Sequence, residues 1–101
     1  MSTFPPDLKL LTGQDLRFDD DNLIVMLDDG RTIAVPLAWF PRLFHATPAE
    51  RNDWRWIGRG IGIHWPQLDE DIAVEDLLLG RPSGESPESL RRWLAARPTQ
   101  G

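Results

Sequence analysis

The apolar run Leu23-Ile24-Val25-Met26-Leu27 has the length of a strand, and it stops at Asp28-Asp29-Gly30-Arg31. Beyond that polar break Thr32-Ile33-Ala34-Val35 alternates, which places Ile33 and Val35 on one face. Asp29-Gly30 tolerates the positive backbone angles of a tight turn, so the two runs are predicted to fold back on each other as an antiparallel hairpin. A two-stranded hairpin is marginal by itself, and its apolar face needs further elements to cover it. Asp15 to Phe18 reads as another short strand, and Pro36 ends the last one.

The covering elements read as short. Leu37 to Phe44 is expected to form a helix, or two turns interrupted at Pro41. Thr47-Pro48-Ala49-Glu50 has the form of a helix start, with Thr47 as cap, Pro48 at the first helical position and Glu50 completing a capping box. Trp54 and Trp56 flank Arg55 where that helix is expected to end. Gly58, Gly60 and Gly62 break the periodicity before Ile61-Gly62-Ile63-His64-Trp65, which is predicted as a strand closed by Pro66. Asp69-Glu70-Asp71 then leads into a turn or two of helix over Ile72 to Leu79, stopped at Gly80.

Arg81 to Ser86 is a Pro/Gly/Ser-rich linker. After it Ser86 as cap, Pro87 in the first turn and Pro98 as terminator bracket a helix with Leu90, Trp93 and Leu94 on one stripe. About eleven residues are too few for a stable helix alone in water, so the stripe is expected to dock on its own domain, a dimer mate or a separate partner. The predicted fold is therefore α+β: a small antiparallel sheet with a central hairpin over about 16–35 and a later strand over about 61–65, packed with short helices, plus a C-terminal helix. The expected organisation is one domain over 1–80, a linker over 81–86, and a C-terminal helix and tail over 87–101.

A chain of 101 residues supports one modest core. It has no cysteine, which removes disulfides, thiolate metal sites and thiol nucleophiles and suits a reducing compartment. Met1-Ser2-Thr3-Phe4-Pro5-Pro6 lacks the basic-then-apolar pattern of a secretory leader, and no apolar stretch approaches a bilayer span. The expected location is the cytoplasm, away from membranes. The net charge of −5 argues against nucleic acid as the main partner, because phosphate neutralisation needs clustered Lys and Arg. Charge is unevenly spread: residues 1–30 hold seven aspartates against Lys9 and Arg17, and residues 60–80 hold five acids and no base. A segregated acidic surface suits a basic protein partner; it also serves solubility alone.

The chemistry concentrates between His64 and Asp71. His64 with Asp69 and Asp71 could offer mixed nitrogen and oxygen ligands to a divalent ion, but adjacent acids generally point apart, and no metal site is assigned. The preferred reading has His64 reaching from a strand to a carboxylate or carbonyl while Trp65 fills the core. Catalysis would also need a nucleophile or activated water and a group to stabilise developing charge, and neither is legible, so no catalytic residue is assigned. Asp69, Glu70 and Asp71 can cap the following helix, pair with Arg42, Arg51 or Arg55, or face a partner. Five tryptophans are many for this length, and most are expected in the core.

Together Pro36-Leu37-Ala38-Trp39-Phe40-Pro41-Arg42-Leu43, Ala46-Thr47, Arg51, Trp54, Gly60, Ile63-His64-Trp65-Pro66-Gln67-Leu68-Asp69-Glu70-Asp71-Ile72 and Leu77-Leu78-Leu79-Gly80 resemble the bacterial family known as domain of unknown function 2442. The resemblance covers roughly residues 8–80, and His64 to Asp71 is its most specific part. It implies a compact α+β domain, found alone, joined to a helix-turn-helix domain, or encoded beside a small partner in arrangements thought to be toxin–antitoxin pairs. After Gly80 this chain has one short predicted helix, fewer than a helix-turn-helix requires, so direct operator binding is not expected.

Two functions follow as expectations. The favoured one is a non-enzymatic protein-binding or regulatory module, antitoxin-like, that holds a small basic protein encoded nearby. Asp69, Glu70, Asp71, Leu90, Trp93 and Leu94 would contact that partner, over a structural motif of Pro36, Pro41, Arg42, Arg51, Trp54, His64, Trp65 and Pro66. The alternative is a small metal- or metabolite-binding domain with hydrolase activity centred on His64, Asp69 and Asp71. No cofactor is implied, and a homodimer is compatible with every feature.

Overall fold

The computed structural model describes residues 11–97. The expected leaderless N-terminus and the Pro98 terminator lie outside these residues. Chain order gives β1 (Gly13–Phe18), β2 (Asn22–Leu27), β3 (Thr32–Pro36), a 3-10 turn (Leu37–Trp39), α1 (Pro41–His45) and α2 (Pro48–Asn52). It continues with β4 (Arg55–Ile57), β5 (Gly62–Trp65), β6 (Glu70–Ala73), α3 (Val74–Leu78) and α4 (Pro87–Ala96). The α+β class is as predicted, with the strands divided between two three-stranded antiparallel sheets, β1-β2-β3 and β4-β5-β6.

The first sheet follows from its alternation. Leu23 pairs with Val35 and Phe18, and Val25 with Ile33 and Leu16, so one face collects Leu16, Phe18, Leu23, Val25, Leu27, Ile33 and Val35. The β2–β3 turn uses only one left-handed residue, Gly30 at φ +93°. Gly30 N donates to Leu27 O at 3.2 Å and Leu27 N to Arg31 O at 2.8 Å, which makes a three-residue loop closed by a glycine in place of a two-residue turn. Asp29 reinforces it by accepting from Arg31 N and Nε.

The later strand is the middle of the second sheet. Trp56 and Ile72 pair with Ile63, and Glu70 pairs with Trp65, so these five residues share the inner face. Arg55–Ile57 forms an edge strand after α2 ends at Asn52, and alternation turns Trp56 inward beside Trp54 at 5.0 Å. One expectation changes here. Glu70 to Ala73, expected at the start of a helix, pairs with β5, and the helix begins only at Val74. Pairing won because Ile72 packs against Ile63 in the ladder and is nearly fully buried there.

Trp65 joins the two sheets. Its side chain is fully buried, meets Phe18 edge-on at 6.4 Å, and donates from Nε1 to the Arg51 carbonyl at 3.0 Å. The sheets also touch where Gly13 N donates to Gly60 O at 2.7 Å. A Cβ on Gly13 would sit 2.3 Å from the Trp56 ring, so glycine is required for that approach. Leu37, Phe40 and Leu43 from the 3-10 turn and α1, and Val74 and Leu77 from α3, complete the core. Pro41 stands at the start of α1, where its missing N–H costs nothing.

Candidate functional site

Two regions carry the chemistry, one on the outer face of β4-β5-β6 and one where the end of the chain returns to α1. Alternation puts Arg55, His64 and Asp71 in one cross-strand row on the outer face, with Ile57, Gly62 and Ala73 in the next. His64 Nδ1 lies 2.5 Å from Asp71 Oδ1, as the histidine-to-carboxylate reading expected. Asp69 lies in the β5–β6 turn with φ +52°, a left-handed conformation that aspartate tolerates better than most residues. Among the described residues no three histidine or acidic side chains gather as a metal site, so Asp69 does not join the His64–Asp71 pair.

The neighbouring row is apolar and bare. Ile57 is 38% and Ile61 46% exposed, large values for isoleucine. They line a hollow of about 340 Å3 together with Gly62, Ile72 and Ala73, with Asp71 and Asp76 among its walls. The acidic run is therefore split by strand alternation: Asp71 faces outward beside the hollow, Asp69 sits in the turn, and Glu70 shares the inner face. Burial pushes the Glu70 carboxyl up to about 7; Arg42 opposes that shift, while Glu85, Asp71 and Asp69 add to it.

Arg42 organises the second region. Its Nε and Nη2 donate to both Glu85 oxygens at 2.7–3.0 Å, and Nη1 donates to the carbonyls of Leu68 at 2.9 Å and Asp69 at 3.3 Å. The pair is largely withdrawn from water, with side-chain exposures of 16% and 9%. The Arg42 hydrogen bonds hold the Glu85 carboxyl below its ordinary range, and Glu85 holds the guanidinium up. A second pair links Arg97 Nη2 to Glu50 Oε1 at 2.7 Å and lowers the Glu50 carboxyl in the same way. Both guanidiniums lie against the Trp93 ring, Arg42 at 5.2 Å and Arg97 at 4.5 Å from its centroid.

Arg51, expected as a partner for the acids, instead donates to the carbonyls of Leu43 and Phe44 at the end of α1. Arg55 is exposed at the sheet edge. Leu90, Trp93 and Leu94 are half-buried, and Trp93 packs against the domain's core. Pro36 caps the 3-10 turn and Pro66 follows β5. Sequence reasoning missed Glu85, Arg97, Ile57, Ile61 and Asp76. Glu85 lay inside a linker and Arg97 near the end of the helix, where nothing in the pattern names a partner.

The sequence profile of the family described as "Protein of unknown function (DUF2442)" matches residues 14–83. The chain belongs to this family. A crystal structure of a protein of unknown function from Rhodospirillum rubrum is similar, with TM-score 0.67 and 26% identity over 76% of this chain and 95% of that one. The solution structure of an uncharacterised protein from Chromobacterium violaceum superposes with TM-score 0.62 at 19% identity, covering 85% of this chain and 79% of that one, which shows a shared fold. No curated protein matches. The family segment contains both sheets apart from Gly13 and stops before α4, so the Arg42–Glu85 pair ties family residues to a segment beyond the match. None of the described helices is long and apolar enough to cross a membrane.

Proposed function

We propose that this member of the family is a non-enzymatic protein-binding module whose contact surface is the outer face of β4-β5-β6. One observation carries the reading: an apolar hollow built by Ile57, Ile61, Gly62 and Ala73 stands open beside Asp71 and Asp76. Isoleucines left in water next to carboxylates suit a partner segment that places an aliphatic side chain in the hollow and Lys or Arg against the acids. The excess of acids over residues 60–80 favours the same basic partner. Within the antitoxin-like reading implied by the family resemblance, the first partner to test is a small basic protein encoded beside this one.

Co-expression of the full chain with the neighbouring gene product, followed by affinity purification, tests the proposal. A stoichiometric complex that is lost in Ile61→Asp and weakened by Asp71→Asn with Asp76→Asn supports it. Ile61 is exposed, so Ile61→Asp should keep the wild-type unfolding midpoint. A complex unaffected by all three substitutions places the contact elsewhere, and no complex with the basic neighbour overturns the proposal.

A further inference from the structure

The end of the chain is attached in an unusual way. α4 has no fully buried residue; its Leu90, Trp93 and Leu94 are half-buried. Its helix is closed by its own cap, Ser89 N donating to Ser86 Oγ at 3.0 Å. What fastens it to the domain is Trp93 against the core together with Arg42 on Glu85, Arg97 on Glu50 and the two guanidiniums against Trp93, while Ser89 Oγ holds Glu85 within the arm at 2.9 Å. Gly84 has open space around it and precedes Glu85, while Ser83 N is still held by the Trp39 carbonyl at 2.9 Å. The chain therefore has an anchored point at Ser83, an unencumbered glycine, and then the fastened segment.

We infer that residues 84–97 form a latched arm, in which Arg42–Glu85 and Arg97–Glu50 hold Trp93 down and whose release bares the Leu90/Trp93/Leu94 stripe while both sheets stay folded. The physical argument is one of unequal holding. The strands are fixed by paired ladders around fully buried side chains such as Leu23, Val25, Ile63 and Trp65. The arm contributes no such side chain, so the opening that frees it exposes less apolar surface than unfolding does. Its ion pairs are largely shielded, with side-chain exposures of 9–17%, so removing one partner rather than adding salt is what loosens them. The helix is too short to persist strongly once free, so opening also loosens α4 itself.

This places the stripe under control. In the closed state Trp93 is engaged by its own chain; in the open state the apolar stripe becomes accessible. The latch residues are divided between the family segment, which supplies Arg42 and Glu50, and the arm, which supplies Glu85, Trp93 and Arg97. The inference is independent of the partner surface proposed above, which lies on the other face of the second sheet.

Native-state hydrogen exchange on the full chain, followed residue by residue, tests it. The expected result is that amides of Arg91 to Ala96 exchange at least tenfold faster than those of β2 and β5, with a weaker urea dependence. Glu85→Gln should speed exchange in the arm several-fold and leave β2 and β5 unchanged. Arm and strand amides sharing one exchange rate and one urea slope overturn the inference, as does an arm indifferent to Glu85→Gln. If Glu85→Gln fails to fold, the pair is part of the global core and the inference also fails.

Discussion

Glu70 offers the sharpest test of how the second sheet is assembled. It sits on the inner face, feels the charges of Arg42, Glu85, Asp71 and Asp69, and is pushed by burial from 4.5 to about 7. In the unfolded chain it returns to the ordinary carboxyl value. Because the folded form holds its proton more tightly, this residue favours folding fully below about pH 4.5, and that contribution is lost as pH rises to about 7 and stays lost above it. The full shift would correspond to about 3 kcal/mol. Glu70 is only half-buried, so solvent screening reduces this to roughly 1–2 kcal/mol. Urea unfolding of the wild type and Glu70→Gln at a series of pH values measures it. The wild type should lose that amount between about pH 5 and 7.5 relative to the variant, which carries a neutral side chain throughout. A carboxyl carbon titration followed by NMR should give a midpoint near 7. Parallel pH profiles for the two proteins, or a midpoint in the ordinary carboxylate range, would refute the inward placement of Glu70.

Trp65→Phe should cost about 2–3 kcal/mol in urea unfolding: roughly 1 from the void left by the smaller ring and about 1–2 from the unpaired Arg51 carbonyl. Gly13→Ala should destabilise by about 1–3 kcal/mol, because its Cβ meets the Trp56 ring, and Gly13→Ala combined with Trp56→Leu should recover part of that loss. Arg51→Met removes the side-chain donors to the Leu43 and Phe44 carbonyls at the end of α1 and should lower stability by about 1–2 kcal/mol by thermal unfolding, with no effect on the His64–Asp71 pair seen by NMR.

The first sheet was legible because its signals are local. The alternation of Thr32 to Val35, the run Leu23 to Leu27 and the glycine at 30 each act within a few residues. The α2 capping box was legible for the same reason, and it forms as read, with Thr47 Oγ1 accepting from Glu50 N at 3.1 Å and Glu50 Oε1 from Thr47 N at 2.8 Å. The second sheet was less so. Trp54-Arg55-Trp56 is too short to show a period, and Glu70-Asp71-Ile72-Ala73 looks equally like the acidic first turn of a helix. What decides it is Ile63, which meets Ile72 across the ladder nine residues away through a turn whose key residue, Asp69, is not a glycine.

The candidate site divides along the same line. His64 reaching a carboxylate was readable from their closeness in sequence. That Asp71, and not Asp69, is that carboxylate depends on the β5–β6 register, which sets His64 opposite Asp71. The docking of Leu90, Trp93 and Leu94 was required by the shortness of their helix, but Arg42 on Glu85 spans 43 positions and Arg97 on Glu50 spans 47. Nothing local announces either pair.

The amino-acid sequence alone determined the hairpin, the capped helices, the helical stripe near the C-terminus and membership of a family, because propensity, turn chemistry and periodicity are properties of neighbours along the chain. Only the tertiary structure decided which acid turns inward, which isoleucines stay in water and which arginine holds which carboxylate. Those outcomes follow from strand register and long-range charge pairing, and both depend on where distant segments meet.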